Sequence, residues 1–214
     1  MEQARFNMIE QQIRPWNVLD GVVLDLLKQV KREQFVPVEQ RAMALMDVEI
    51  PLGHSAKMWS PVLEARAVQE LKIASGDHVL EVGTGSGYVT ALLASLAAEV
   101  TSVEIVPELS ASAARTLTAQ QIKNVKLEVG DAANGWGESH YDAIVLTASV
   151  PLQPTALMNN LKIGGRMFAV IGDAPAMHAC VITRTASDVF DSVALFETSV
   201  APLQNAAQPQ RFVF

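Results

Sequence analysis

A single cysteine, Cys180, excludes an internal disulfide, and its run Ala179-Cys180-Val181-Ile182 reads as a strand in which a thiol packs rather than reacts. The four histidines, at 54, 78, 140 and 178, show no metal-ligand spacing, so no metal is expected. Basic residues are scarce: 16 Lys and Arg stand against 23 Asp and Glu, the net charge is −7, and no basic run exceeds Lys31-Arg32. That excludes a broad phosphate-binding groove, and no nucleic-acid partner is expected. Mean hydropathy is high at +0.21, yet no stretch of 18 apolar residues exists to span a membrane. Met1-Glu2-Gln3 lacks the basic and apolar regions of a signal peptide, so a soluble, cytoplasmic protein is expected. With 214 residues, half of them hydrophobic, the chain suffices for one α/β domain and an additional segment. Nothing in the composition fixes an oligomeric state.

What the sequence does have is Val79-Leu80-Glu81-Val82-Gly83-Thr84-Gly85-Ser86-Gly87-Tyr88, an apolar strand running into three alternating glycines. An Ala/Leu-rich segment with helical spacing follows, Val89 to Ala98. Glycines at alternate positions free the backbone for positive φ and for close approach to a bound molecule at the positive end of the next helix. A dinucleotide fingerprint would need glycine at position 88, where this chain has Tyr88, so a pyrophosphate site is disfavoured. The E-x-G-x-G-x-G form, with Glu81, Gly83, Thr84, Gly85, Ser86 and Gly87, resembles motif I of the class I S-adenosylmethionine-dependent methyltransferases.

Two further acids follow in order. Glu104 closes the alternating strand Val100-Thr101-Ser102-Val103-Glu104, 21 residues beyond Gly83, where a carboxylate can accept both ribose hydroxyls of a nucleoside. The third strand, Val125 to Val129, leads into Gly130-Asp131-Ala132. The resemblance to class I methyltransferases implies that Asp131 meets the adenine amino group; an Asp in an ordinary turn is the competing reading.

Taken in order, residues 1–15 read as a helix stopped at Arg14-Pro15. Asn17 to Val30 reads as an amphipathic helix burying Val18, Leu19, Val22, Val23, Leu26, Leu27 and Val30. A short helix is expected over 38–45, an extended stretch over 48–52, and a polar, flexible-ended loop over 53–61. Ser60 and Pro61 then have the pattern of an N-cap and first position for a helix over 61–72. From 77 onward strands (78–82, 100–104, 125–129, 141–147) alternate with helices (87–97, 107–120, 153–161), and a fifth strand follows Leu161-Lys162-Ile163-Gly164-Gly165-Arg166. Alternation of this kind predicts an α/β fold: a doubly wound, mostly parallel, Rossmann-like sheet. Two β-rich runs, 178–183 and 190–200, predict a C-terminal hairpin connected through 185–188. Residues 204–210 read as a loose tail, and the apolar end Arg211-Phe212-Val213-Phe214 could dock on its own domain or on a partner. The expected organisation is an N-terminal helical segment with a loop, 1–76, and a cofactor-binding core, 77–214, in one compact unit.

The whole chain resembles the protein-L-isoaspartate O-methyltransferase family. The matching stretches are Met8-Ile9-Glu10-Gln11-Gln12-Ile13, Lys31-Arg32-Glu33-Gln34-Phe35-Val36-Pro37, Pro51-Leu52-Gly53-His54, Pro61, Val79 through Tyr88, Ser102-Val103-Glu104 and Gly130-Asp131. The resemblance implies S-adenosyl-L-methionine as cofactor and methylation of isoaspartyl side chains in damaged proteins or peptides. It also implies substrate contacts from His54 in the loop; Thr147 and Ser149, after the fourth strand, should line the acceptor side. The chain departs from the family in that loop. Aligned on Gly53-His54 and Pro61, Trp59 stands where family members carry the serine that contacts the substrate carboxylate, and Ser60 falls one residue late. Ser60 either swings in as substitute or caps the helix; Trp59 either fills the slot, stacks on a flat substrate or plugs the cofactor pocket. Lys57 either pairs with an anionic substrate or is a solvated surface lysine. A different protein or small-molecule acceptor, or a cofactor-binding protein without catalysis, are the alternatives.

Overall fold

The computed structural model describes residues 1–138 and 140–210; the apolar end 211–214 lies outside the described residues. Its frame is a seven-stranded sheet built from β3 (His78–Val82), β4 (Glu99–Glu104), β5 (Val125–Val129), β6 (Tyr141–Val150), β7 (Leu161–Asp173), β8 (Ala176–Ala186) and β9 (Val189–Thr198), in the order β5-β4-β3-β6-β7-β8-β9. The strands from β5 to β7 pair in parallel, and β8 and β9 add an antiparallel hairpin at one edge. The predicted doubly wound, mostly parallel sheet with its C-terminal hairpin is therefore present. Alternate residues of the central strands feed two apolar cores. Val79, Ala143, Val145 and Phe168 join one, and Leu80, Val82, Ile144, Leu146 and Met167 join the other, as the period of two in a strand requires. The chain leaves β3 outward to β4 on one side and returns to β6 on the other, so a crevice opens at the carboxyl ends of these strands.

The helices of the sheet are α4 (Tyr88–Ala94), α5 (Pro107–Ala119) and α6 (Thr155–Asn159). All are shorter than the predicted spans, and β7 already begins at Leu161, so the fifth strand includes the stretch 161–166 expected to precede it. β6 runs on to Val150, three residues past its predicted end.

The N-terminal segment departs most from expectation. Residues 2–16 form one continuous helical run, α1 (Glu2–Asn7) followed by a π-wound stretch Met8–Ile13 and a 3-10 turn Arg14–Trp16. Pro15 sits in the first turn of that last piece, where its missing N–H is no loss. The second helix, α2, begins only at Gly21 and ends at Gln29. Asn17 turns left-handed, Gln69 accepts from the N–H groups of Leu19 and Asp20 and donates to the carbonyl of Asn17, and the Asp20 carboxylate caps Val22. With the helix start displaced, Leu19 and Val22 face solvent while Leu24 joins Val23, Leu26 and Leu27 in the core. The expected helix over 38–45 is a 3-10 stretch, Val38–Met43.

The loop expected over 53–61 is largely a hairpin: β1 (Ile50–Gly53) pairs antiparallel with β2 (Ala56–Met58). His54 and Ser55 make its turn, both in the left-handed region, the geometry that matches the twist of tight hairpins. α3 (Pro61–Leu71) follows and is buried on nearly every side, between the N-terminal segment and the sheet.

Candidate active site

The glycine turn sits at the carboxyl end of β3, with φ of +97° at Gly83, +53° at Gly85 and +81° at Gly87. The first of these has no room for anything but hydrogen: a Cβ on Gly83 would lie 2.3 Å from Thr147 Oγ1. That hydroxyl reaches the carbonyls of Val82 and Gly83 at 2.9 and 2.6 Å, so β6 clamps the turn from beside it. The turn forms one wall of a cleft of about 1030 Å³ that is open to solvent.

Five carboxylates line that cleft, Glu49, Glu64, Glu81, Glu104 and Asp131, and the last three stand on or just after β3, β4 and β5. Glu81 is wholly buried. Its Oε2 accepts from Ser102 on β4 at 2.6 Å and from Thr90 on α4, and Thr84 of the glycine turn joins through Ser102, 2.6 Å away. Its Oε1 has no hydrogen-bond partner among the described residues. Burial, with the like charge of Glu104 adding to it, pushes the Glu81 carboxyl up to about 8 even against those hydroxyl donors. Glu104 accepts one backbone N–H on each oxygen, Gly85 at 2.9 Å and Val106 at 3.0 Å. Each of its oxygens keeps a lone pair for a hydroxyl. Asp131 is exposed and takes Ala133 N–H on Oδ1 and the Asn205 amide on Oδ2. Ser86 and Ala132 line the same cleft.

The opposite wall comes from the β1–β2 hairpin and the residues after it. His54, Lys57 and Trp59 line the cleft. Lys57 is half exposed and its ammonium lies 2.8 Å from Glu49, which raises the Lys57 pKa. Trp59 is buried, its ring edge-on to Phe168 of β7 at 6.1 Å. Ser60 does not line the cleft. It stands at the N-cap position of α3, but its side chain makes no capping bond there; only its carbonyl accepts, from Glu64 N–H. Ser149 also lies off the cleft: it is buried, and it ties down the segment after β9 through Ser149 N–H to Ala201 O, Leu203 N–H to Ser149 O and Ser149 Oγ to Val200 O.

That segment takes in the first part, 204–206, of the tail expected to be loose. Ala201, Pro202, Leu203 and Gln204 line the cleft as a strap, Asn205 bonds to Asp131, and Ala206 is buried in the core. Sequence reasoning also passed over Arg32 and Glu64, both wholly buried behind Trp59. For Arg32 the signal is the Lys31 to Pro37 stretch, which resembles a known family; Glu64 lies outside it. For Thr90 and Ser102 the signal is hydroxyls at positions where an apolar helix and strand face Glu81.

A sequence profile of the protein-L-isoaspartate(D-aspartate) O-methyltransferase family matches residues 3–207. The chain belongs to this family. A protein-L-isoaspartate O-methyltransferase 1 from Rhodopseudomonas palustris is 38% identical over 201 residues, 93% of this chain and 82% of its own length. One from Anaeromyxobacter is 38% identical over 202 residues, 93% of this chain and 95% of its own. Among solved structures, a Plasmodium falciparum protein described as belonging to the same family and bound to S-adenosyl-L-homocysteine shares the fold with a TM-score of 0.78 at 19% identity, over 95% of this chain and 97% of that one. A second solved protein-L-isoaspartate O-methyltransferase gives 0.79 at 23% identity, over 94% and 65%.

Membership makes the chain an S-adenosyl-L-methionine-dependent methyltransferase, and the cleft fits that cofactor on its own terms. Gly83 and Gly85, which bring backbone without side chains to the wall of the cleft, and a buried Glu81 oxygen without a partner among the described residues suit a ligand that brings a cation and comes within contact of backbone. No described helix is long and apolar enough to cross a membrane.

Proposed function

We propose that the protein methylates the free carboxylate of isoaspartyl residues in damaged proteins or peptides. The observation that carries this reading is that the hairpin with His54, Lys57 and Trp59 faces the glycine turn across one shared cleft, so methyl donor and acceptor meet in the same space. Bound S-adenosyl-L-methionine supplies a methyl group on a sulfonium, ready for in-line displacement. The protein's task is then to hold and align. Glu104 offers lone pairs to the ribose hydroxyls, Asp131 an acceptor to the adenine amine, and Glu81 Oε1 a site for the cofactor's ammonium; Gly83 to Ser86 and Ala132 give the surface it lies on, while Gly87, off the cleft, packs against Ala113 and Leu117 of α5.

An acceptor carboxylate has an ordinary pKa near ~4 and is ionised at neutral pH, so no general base is needed. This agrees with a cleft in which Thr147 spends its hydroxyl on two carbonyls and Lys57 its ammonium on Glu49. Lys57 exchanges Glu49 for the incoming carboxylate, with His54 beside it, while Thr147 and Ser149 act at one remove by fixing the glycine turn and the strap. Trp59 and the strap exclude water, so the rate gain comes from alignment and desolvation.

Radiolabelled methyl incorporation tests the reading, with an isoaspartyl peptide against the same peptide carrying ordinary aspartate. The expected result is label in the first as a base-labile ester and none in the second. Label in neither, with the cofactor bound, overturns the acceptor class. A Trp59→Ser variant run alongside shows whether the tryptophan narrows the range of peptides accepted.

A further inference from the structure

Arg32 is wholly buried and spends its guanidinium on three separate segments. Nε donates to Glu64 Oε2 on α3 at 2.8 Å, Nη1 to the carbonyl of Ala44, and Nη2 to the carbonyl of Trp59 at 2.6 Å, with Glu64 Oε1 farther off at 3.5 Å. Glu64, equally buried, lines the cleft next to Trp59 and takes no other partner than Arg32 among the described contacts. Trp59 is thus pinned twice: its carbonyl by the guanidinium and its ring by Phe168.

Such a pair is a poor device for stability. Desolvating two charges offsets most of their attraction, and well-packed apolar side chains of similar volume serve a core as well or better. What the pair supplies is geometry. A planar fork with fixed N–H directions sets three backbone and side-chain oxygens at once, which neither a lysine nor an apolar side chain can do. Two of those oxygens belong to the wall of the cleft where this chain departs from its family.

We propose that Arg32, held by Glu64, is the positioning residue that fixes Trp59 at the acceptor side of the cleft, and that Trp59 so fixed sets which acceptors enter. The proposal deepens the isoaspartyl reading and rests on it for the choice of substrate, but its central contact is testable without turnover. Arg32→Lys keeps a cation beside Glu64 while its single ammonium cannot also reach Trp59 and Ala44. In that variant the KM for the isoaspartyl peptide is expected to rise about tenfold while the dissociation constant for S-adenosyl-L-homocysteine stays within about twofold, as for loss of one charge-assisted hydrogen bond on the acceptor side alone. Incorporation of 5-fluorotryptophan gives a second readout: the Trp59 fluorine resonance, assigned with Trp59→Phe, shifts or broadens in Arg32→Lys while those of Trp16 and Trp136 stay put.

Should Arg32→Lys not fold, the double variant Arg32→Met with Glu64→Met leaves neither charge of the pair uncompensated and carries the same two expectations. Unchanged acceptor KM in a folded variant, or cofactor affinity falling in step with it, overturns the proposal, as does a Trp59 resonance identical to wild type. If the wild-type protein leaves the isoaspartyl peptide unmethylated while the Trp59 resonance still moves in the variant, the acceptor class fails and the positioning role stands.

Discussion

Glu81 carries the sharpest consequence of a single residue's surroundings. Its carboxyl is pushed up to about 8 from an ordinary 4.5 because it is fully desolvated, so the folded protein holds a proton there that the unfolded chain releases. Stability from this group is complete below the unfolded value and is lost as pH rises from about 4.5 to about 8, at about 1.4 kcal/mol per pH unit for one proton. A ligand cation reaching Oε1 reverses the preference: it favours the carboxylate, so binding expels the proton. The affinity for S-adenosyl-L-homocysteine should therefore climb with pH up to about 8 and then level off. Calorimetric titration in two buffers of different ionisation enthalpy should show close to one proton released at pH 6.5. Glu81→Gln, a neutral group of the same shape, should bind without that release and unfold in urea with a shallower dependence on pH. Equal proton counts in the two proteins would remove Glu81 from the linkage.

At the scale of elements, the strap over 200–206 shows what could and could not be read beforehand. Its end, 204–206, falls in the Gln-, Ala- and Pro-rich run that local reasoning marks as loose; its order comes from Ser149, about fifty residues away, whose N–H and C=O it pairs with, and from Leu203 packing on the second core. Leu203→Ala is expected to cost about 1 kcal/mol, since the side chain is half-buried. It should also loosen the strap, so that the amide at position 203 exchanges with solvent at least tenfold faster and S-adenosyl-L-homocysteine binds several-fold more weakly. Normal exchange at 203 with weakened binding would assign the effect to the cleft surface rather than to the strap. The same distinction runs through the rest of the chain. The β-α alternation and the glycine turn are local patterns and were legible, as were the acids Glu81, Glu104 and Asp131 that line the cleft. The late start of α2 was not, because it depends on Gln69 capping backbone groups some fifty residues earlier. Nor was the service of Ser149 to the strap, or the burial of Arg32 and Glu64, since a charge pair inside a core leaves no trace in hydropathy.

For the molecule as a whole, the question is whether residues before the glycine turn are an appendage or part of the same folding unit. Met8, Ile9 and Ile13 from the N-terminal helical run share one apolar core with Leu63 and Val68 of α3, with Tyr88 and Leu92 of α4, and with Val145 and Phe168 of the sheet. The bidentate Arg5–Glu33 pair ties the run to the stretch before Phe35, whose ring meets Tyr88 edge-on at 5.4 Å. Contacts so interleaved leave no surface along which the first 76 residues could separate and stay folded, and two segments that share a core in this way should unfold in a single transition. Met8→Ala, which empties a site with no solvent exposure, is expected to cost about 2–5 kcal/mol. That cost should appear as a downward shift of the entire calorimetric transition. Trp136, which follows β5 and packs on the second core rather than on the one that holds Met8, offers a local check: in a protein with Trp16 and Trp59 replaced by Phe, its fluorescence should report the same lowered midpoint as the circular dichroism of the helices. A Trp136 midpoint left where it was, with only the helical signal moved, would divide the protein into two units and place the boundary ahead of β3.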